Sequence, residues 1–253
     1  MLFRLDMNKK IIFIHIPKTA GMSVTKMLGE ELDNCEWFRD GKDGFHSTAY
    51  EVKQKLGTQW ERYFSFAVSR NPYERLVSAY VYGLKVYGSN AREKMRSFSL
   101  FCKNLDYFLN RPQYAIYRPQ TEFLVDKKFN LLVNKIVRLE ELKAGLLSIA
   151  KERGFECRDF ITTNLSEHRP WREYYSSVEK KIVSEKYRCD FEMLKYPFFF
   201  DDKEGVPFLE KRDGSRKRVL SRLNYISVKI FFEKNFYGFL LIVRFFKKHF
   251  LHL

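Results

Sequence analysis

Lys18, Thr19, Gly21 and Ser23, close together in KIIFIHIPKTAGMSVT at residues 10–25, are the residue types that hold an oxyanion. The lysine supplies full charge and the glycine lets backbone approach a ligand. Hydroxyls and free N–H groups at a helix start donate hydrogen bonds. The chemistry this implies is capture of a phosphate or a phosphate-like group. The lysine precedes the glycine and GxxxxGK[ST] is absent, so this is not a nucleotide-triphosphate loop. A second cation, Arg70, stands in FAVSRNPYERLVSAY, with Ser78 two helical turns further on. Arginine grips phosphate bidentately, and two anion sites suit a ligand with two anionic groups. Each has a plainer alternative: Lys18 merely solvated, and Arg70 paired with Glu74 above an ordinary helix-surface serine.

These residues need elements to place them. Ile11, Ile12, Phe13, Ile14 and Ile16 form a near-continuous apolar run, which predicts a buried strand of a parallel sheet. Pro17 ends it, and Val24, Met27, Leu28 and Leu32 then take up helical spacing. Asp33–Gly44 reads as a loop. Thr48 with Glu51 fits a capping box for a helix over Ala49–Leu56, with His46 just outside its start. Trp60–Val68 predicts a second core strand closed by Ser69-Arg70. Asn71 caps the next helix, with Pro72 at its first position. Residues 85–104 read as a loop with a partial helix, and Leu105–Leu109 as a short helix. Asn134–Leu139 predicts a third strand, followed by a helix from Glu140 to about Arg153. Glu173–Leu194 reads as one helix. Strands alternating with helices predict an α/β fold with its site at the strands' C-terminal ends.

The chain of 253 residues is long enough for one α/β domain with an appendage. Its formal charge of +15 implies an acidic partner. From Lys211 onward eleven Lys/Arg stand against Asp213 and Glu233, a net +9, so the body is only modestly basic. Cys35, Cys102, Cys157 and Cys189 show neither CxxC pairing nor metal-ligand spacing, which predicts reduced thiols. MLFRLDMNKK runs straight into the first strand, so a cytoplasmic chain is expected.

HIPKTAG-S followed by SRNPYERLVSAY resembles the sulfotransferases that use 3′-phosphoadenosine 5′-phosphosulfate (PAPS), and is most similar to their carbohydrate branch (family 2, heparan- and chondroitin-type). Weaker likeness runs through HSTAYEV, YRPQTEFL, IVRLEEL and the tyrosines between Tyr174 and Tyr196, covering about residues 9–200. The resemblance implies a P-loop-like parallel β-sheet flanked by helices, in a sulfotransferase domain over 1–202. It implies that Lys18, Thr19, Ala20, Gly21, Met22, Ser23 and Val24 bind the phosphosulfate, and that Arg70 and Ser78 bind the 3′-phosphate. One departure is Met22, where relatives commonly have Thr, so a hydroxyl contact is lost. Arg138 lies where relatives carry an arginine; an ion pair with Glu140 or Glu141 is the alternative.

Sulfuryl transfer by analogy with phosphoryl transfer needs charge stabilised on the leaving oxygen and a proton removed from the acceptor. Lys18 suits the first task. His46 matches the histidine that relatives place between the two motifs, and suits the second, with His15 and Glu51 as rivals. No metal is implied. A glycan or other hydroxyl acceptor is expected, with Tyr114, Tyr117, Arg118, Gln120, His168, Arg169 and Trp171 as the residue mix that sugars favour. Lys211–Leu253 departs from the family pattern, within a helical, basic, aromatic-rich appendage that reads as residues 203–253. Its cations among Phe, Leu and Ile fit either an anionic membrane surface, making the protein peripheral, or packing on the body; its uncharged runs are too short to span a bilayer. The rival readings are a small-molecule or nucleotide kinase and a nucleic-acid-binding protein. Nucleic acid is the less expected partner, since it leaves both anion motifs unexplained.

Overall fold

The computed structural model describes residues 3–6, 10–28, 35–37, 46–157 and 168–198. All belong to the first of two units into which the chain divides, Met1–Val206 and Pro207–Leu253. The appendage expected over 203–253 lies outside the described residues, as does most of Asp33–Gly44.

Five strands form one sheet: β1 (Phe3–Asp6), β2 (Ile11–Ile14), β3 (Cys35–Trp37), β4 (Phe64–Ser69) and β5 (Lys135–Arg138), in the order β3-β1-β2-β4-β5. The three predicted strands, β2, β4 and β5, are parallel, with Ile11 opposite Phe64 and Ser69 opposite Arg138. The sheet is not wholly parallel, because β1 pairs antiparallel with both β2 and β3. Those two strands are only four and three residues long and carry Arg4, Asp6 and Glu36 with no run of apolar residues, so the sequence does not announce them.

Nine helices of the described residues surround the parallel strands: α1 (Gly21–Met27), α2 (Ala49–Leu56), α3 (Pro72–Val86), α4 (Ser89–Glu93), α5 (Phe98–Lys103), α6 (Leu105–Leu109), α7 (Leu142–Arg153), α8 (Ser177–Lys186) and α9 (Arg188–Met193). The uninterrupted apolar run of β2 is explained by cover on both faces, since side chains alternate along a strand. Ile11 and Phe13, with Phe64, Phe66 and Val68, pack on Val24 and Met27 of α1 and on Leu142, Leu146 and Ile149 of α7. Ile12 and Ile14, with Ala67, pack on Val52 of α2 and on Tyr73, Leu76, Val77 and Tyr80 of α3. Each such side chain contributes about 1.5–3 kcal/mol when buried.

Local signals explain the boundaries. Thr48 and Glu51 form the reciprocal capping box of α2, Asn71 caps α3 by accepting from Tyr73 N–H, and Gly154 closes α7 at φ 70°. The strand read from Trp60 begins only at Phe64, because Gly57–Arg62 is a 3-10 turn. The expected single helix over Glu173–Leu194 is three pieces. Ser176 starts a new helix through its own capping box with Glu179, and Tyr187 ends that helix. Residues 89–103, read as mostly loop, hold α4 and α5. Among the described residues no helix is long and apolar enough to cross a membrane.

Candidate active site

The C-terminal ends of the adjacent parallel strands β2 and β4 bring the two charged motifs together. Beyond β2 the chain turns sharply: Lys18 has φ 67° and Ala20, at the start of α1, has φ 60°. Non-glycine residues hold such angles only where their surroundings over-determine them, at a cost of order 1–3 kcal/mol each. Two bonds do this. The buried Thr19 hydroxyl donates to the carbonyl of Ile16 at 2.9 Å, and buried Arg75 of α3 donates to the carbonyl of Pro17 at 3.2 Å. The turn leaves Met22 exposed, buries Ser23, and sends the Val24 side chain into the core. Val24 N–H is already committed to the carbonyl of Ala20.

Gly21 is required here by contact. A Cβ on it would lie 1.9 Å from Nε2 of His15, whose ring stacks on Phe13 at 5.7 Å. The ring of His46 meets that of His15 edge-on at 5.0 Å, and His46 Nδ1 lies 3.0 Å from the His15 carbonyl. A carbonyl only accepts, so Nδ1 carries the proton and Nε2 keeps its lone pair. Burial holds His46 down to about 4, against the bond to His15, which favours the charged form. Burial, then the neighbouring His46, lowers His15 to about 3. Both imidazoles are therefore neutral at neutral pH.

Lys18 places Nζ 4.4 Å from the centre of the Tyr82 ring. Burial, then Arg70 and Lys85, lowers its pKa. Arg70, just past the end of β4, makes among the described residues only long hydrogen bonds with its guanidinium: Nε to Glu74 at 3.4 Å, the pairing the plainer reading anticipated, and Nη1 to the carbonyl of Lys18 at 3.5 Å. The two cations thus share one place in the fold, where they oppose each other's charge. That donor set suits an anion. Ser78 lies buried in α3, one turn beyond Glu74.

Behind Arg70 stands an arrangement that the sequence did not announce. Its backbone N–H donates to Oε1 of Gln120 at 2.9 Å, and Nε2 of Gln120 donates back to the Arg70 carbonyl at 2.8 Å. The carboxylate of Asp190 accepts from Gln120 N–H at 2.8 Å, from Thr121 N–H at 2.8 Å and from the Thr121 hydroxyl at 2.9 Å. Arg75 also donates to the carbonyls of Ile116 and Arg118. No local motif marks these residues, because their partners are mostly backbone groups far along the chain.

Several of the residues considered for the acceptor are elsewhere. Tyr114, Tyr117, Gln120 and Trp171 are buried, and Tyr117 accepts at its carbonyl from the Tyr187 hydroxyl. Arg118 stays half-exposed, pairs with Glu122 at 2.8 Å and lies 5.1 Å from the ring of Phe123. Phe123 in turn faces His46 at 6.4 Å. Arg138 donates to the carbonyls of Leu194 and Lys195 rather than pairing with Glu140 or Glu141. Glu51 is committed to its cap. Among the described residues no group of His, Cys, Asp or Glu is arranged to hold a metal ion.

No curated protein and no solved structure matches the chain. A family model described as the sulfotransferase family matches residues 2–197, a span that contains both anion motifs, His46, Gln120 and Asp190. The chain belongs to the sulfotransferase family.

Proposed function

We propose that the protein transfers the sulfuryl group of PAPS to a hydroxyl of a carbohydrate acceptor. The observation that carries this reading is the meeting of the two motifs, Arg70 Nη1 reaching the Lys18 carbonyl at 3.5 Å. Two mutually opposed cations at adjacent strand ends fit a donor with a phosphosulfate at one end and a phosphate at the other. PAPS, when bound, supplies the activated sulfuryl group and leaves as the bisphosphate PAP.

In this P-loop-like role, Lys18 and the backbone amides of Thr19, Ala20, Gly21, Met22 and Ser23 hold the phosphosulfate, with Val24 anchoring the loop from the core side. The Thr19 hydroxyl faces inward, so its part is played by its amide. Lys18 stabilises negative charge on the leaving oxygen, an interaction that strengthens as the bond breaks. Arg70, with Ser78 along α3, holds the 3′-phosphate.

His46 is the base. Its protonated Nδ1 fixes the tautomer, and the lone pair on Nε2 takes the acceptor proton. A base of this kind is worth roughly 10²–10⁴-fold in rate. The half-exposed Arg118–Glu122 pair, with Arg118 over the Phe123 ring that faces His46, offers polar groups for a glycan to meet. No metal enters this scheme. We further assign residues 211–253 to contact with an anionic membrane surface, which makes this a cytoplasmic, peripheral protein.

Calorimetric titration with PAP, ATP and an oligonucleotide tests the donor site. Saturable binding of PAP in clear preference to the other two supports the proposal. Preference for ATP with Mg²⁺ would favour the kinase reading, and steeply salt-dependent oligonucleotide binding the nucleic-acid reading. A screen of sugar and non-sugar hydroxyl acceptors with labelled PAPS then tests the acceptor class.

A further inference from the structure

The β4 ladder ends at Ser69, opposite Arg138. Arg70 is therefore the first residue past the sheet, where a backbone N–H and C=O lose their strand partners. Gln120 takes the place of the missing strand. Its side-chain amide gives and receives one bond each with the same residue, at 2.8 Å and 2.9 Å, the reciprocal pairing of two residues across an antiparallel ladder. Gln120 is wholly buried, so water does not substitute for either bond.

Gln120 is itself fastened. Fully buried Asp190 of α9 holds the backbone N–H groups of Gln120 and Thr121 and the Thr121 hydroxyl. A buried carboxylate is costly without such donors. Arg75 grips the same segment at the carbonyls of Ile116 and Arg118, and with the same guanidinium holds Pro17 at the head of the Lys18 loop. The backbone of Arg70 is thus pinned while its guanidinium keeps, among the described residues, only long hydrogen bonds, to Glu74 and to the Lys18 carbonyl. A pinned base with a loosely held charged end is what aims an arginine at a ligand without satisfying it beforehand.

We infer that Gln120 is the positioning residue that sets Arg70 for the 3′-phosphate, with Asp190 as its anchor. This rests on the proposed donor reading and adds a source of selectivity to it. Gln120 touches no ligand; it acts through Arg70 alone, so its effect follows the 3′-phosphate and not the rest of the nucleotide.

The test compares PAP with AMP, which lacks that phosphate, by calorimetry on the full chain. The proteins are the wild type, Gln120→Met, Arg70→Met and the double variant. Gln120→Met keeps the shape and removes both bonds. It is expected to weaken PAP about tenfold, the scale of a lost hydrogen-bonded pair, with AMP held within about twofold. In the Arg70→Met background the second change is expected to add nothing, as for two residues acting as one unit. Equal losses for PAP and AMP, or additive losses in the double variant, would overturn the inference. If Gln120→Met does not fold, Gln120→Asn serves in its place. That variant keeps the amide but is one methylene too short to hold both Arg70 groups, and the same two comparisons decide. Wild type that binds PAP no better than AMP would sink the donor reading itself, a distinct result from a Gln120 variant with unchanged selectivity.

Discussion

At the scale of single residues, burial keeps the imidazole of His46 neutral at neutral pH at the expense of basicity. Burial lowers its pKa to about 4, so the free lone pair is present across the physiological range. We predict that kcat/KM, which reports the free enzyme, stays level as pH falls from 8 through 6 and declines only toward about 4. An acid limb centred near 6.5, the ordinary histidine value, would mean that the base is an unburied imidazole. His46→Ala is expected to lower kcat by roughly 10²–10⁴-fold while PAP affinity, read by calorimetry, is kept. The same burial has a stability consequence. The native pKa lies below the unfolded one, so the unfolded chain takes up the proton first, and stability is lost as pH drops from about 6.5 toward 4. Gly21→Ala tests the neighbouring contact. Its Cβ would fall 1.9 Å from the His15 ring, which is held between Phe13 and His46. Overpacking of this kind costs about 1–3 kcal/mol, so a fall in melting temperature together with weaker PAP binding is expected. Lys18 and Arg70 were legible because strand-end cations beside small residues form a local pattern. Arg75, Gln120 and Asp190 were not, since a buried arginine on α3 and an exposed one read alike until the carbonyls it bonds are known.

At the scale of elements, the helix cap does the positioning. Thr48 N–H donates to Glu51 at 2.7 Å, and Glu51 N–H donates to the Thr48 hydroxyl at 3.2 Å. This fixes the path of the chain two residues after His46. Thr48→Ala is expected to cost about 1 kcal/mol, seen as a modest fall in melting temperature. Its larger effect is predicted on kcat, because among the described residues His46 is held by one Nδ1 bond and by ring contacts. A variant that loses stability but keeps kcat would detach the cap from His46. The elements that carried the site were readable: β2 from its apolar run, α2 and α3 from their caps, α7 from Gly154. The misread ones share a cause. β1 and β3 are only four and three residues long, too short for a hydrophobic period to establish itself. The stretch Glu173–Leu194 has helical spacing throughout, but Tyr175 and Tyr187 turn their hydroxyls to the carbonyls of Tyr73 and Tyr117. Those tertiary bonds, invisible to periodicity, accompany the breaks.

At the scale of the whole chain, charge and chemistry are segregated in the sequence. Every residue assigned to the donor site and its support lies between His15 and Asp190, whereas residues 211–253 carry a net +9 of the formal +15. Binding a single nucleotide does not call for so much positive charge outside its site, and eleven Lys/Arg among many Phe, Leu and Ile suit an anionic lipid surface. Each cation near such a surface is worth about 1 kcal/mol, and that attraction is screened over about 10 Å at 0.1 M salt. The full chain is therefore predicted to sediment with phosphatidylserine-containing vesicles at low salt and to be released as salt rises. Deleting residues 211–253 should abolish vesicle binding and leave the PAP titration unchanged, because the deletion removes no residue of the donor site. Vesicle binding that survives the deletion would move the contact to residues 1–210, with their remaining +6. Loss of PAP binding in the shortened chain would instead tie the appendage to the donor site, and the separation of surface contact from catalysis along the chain would fail.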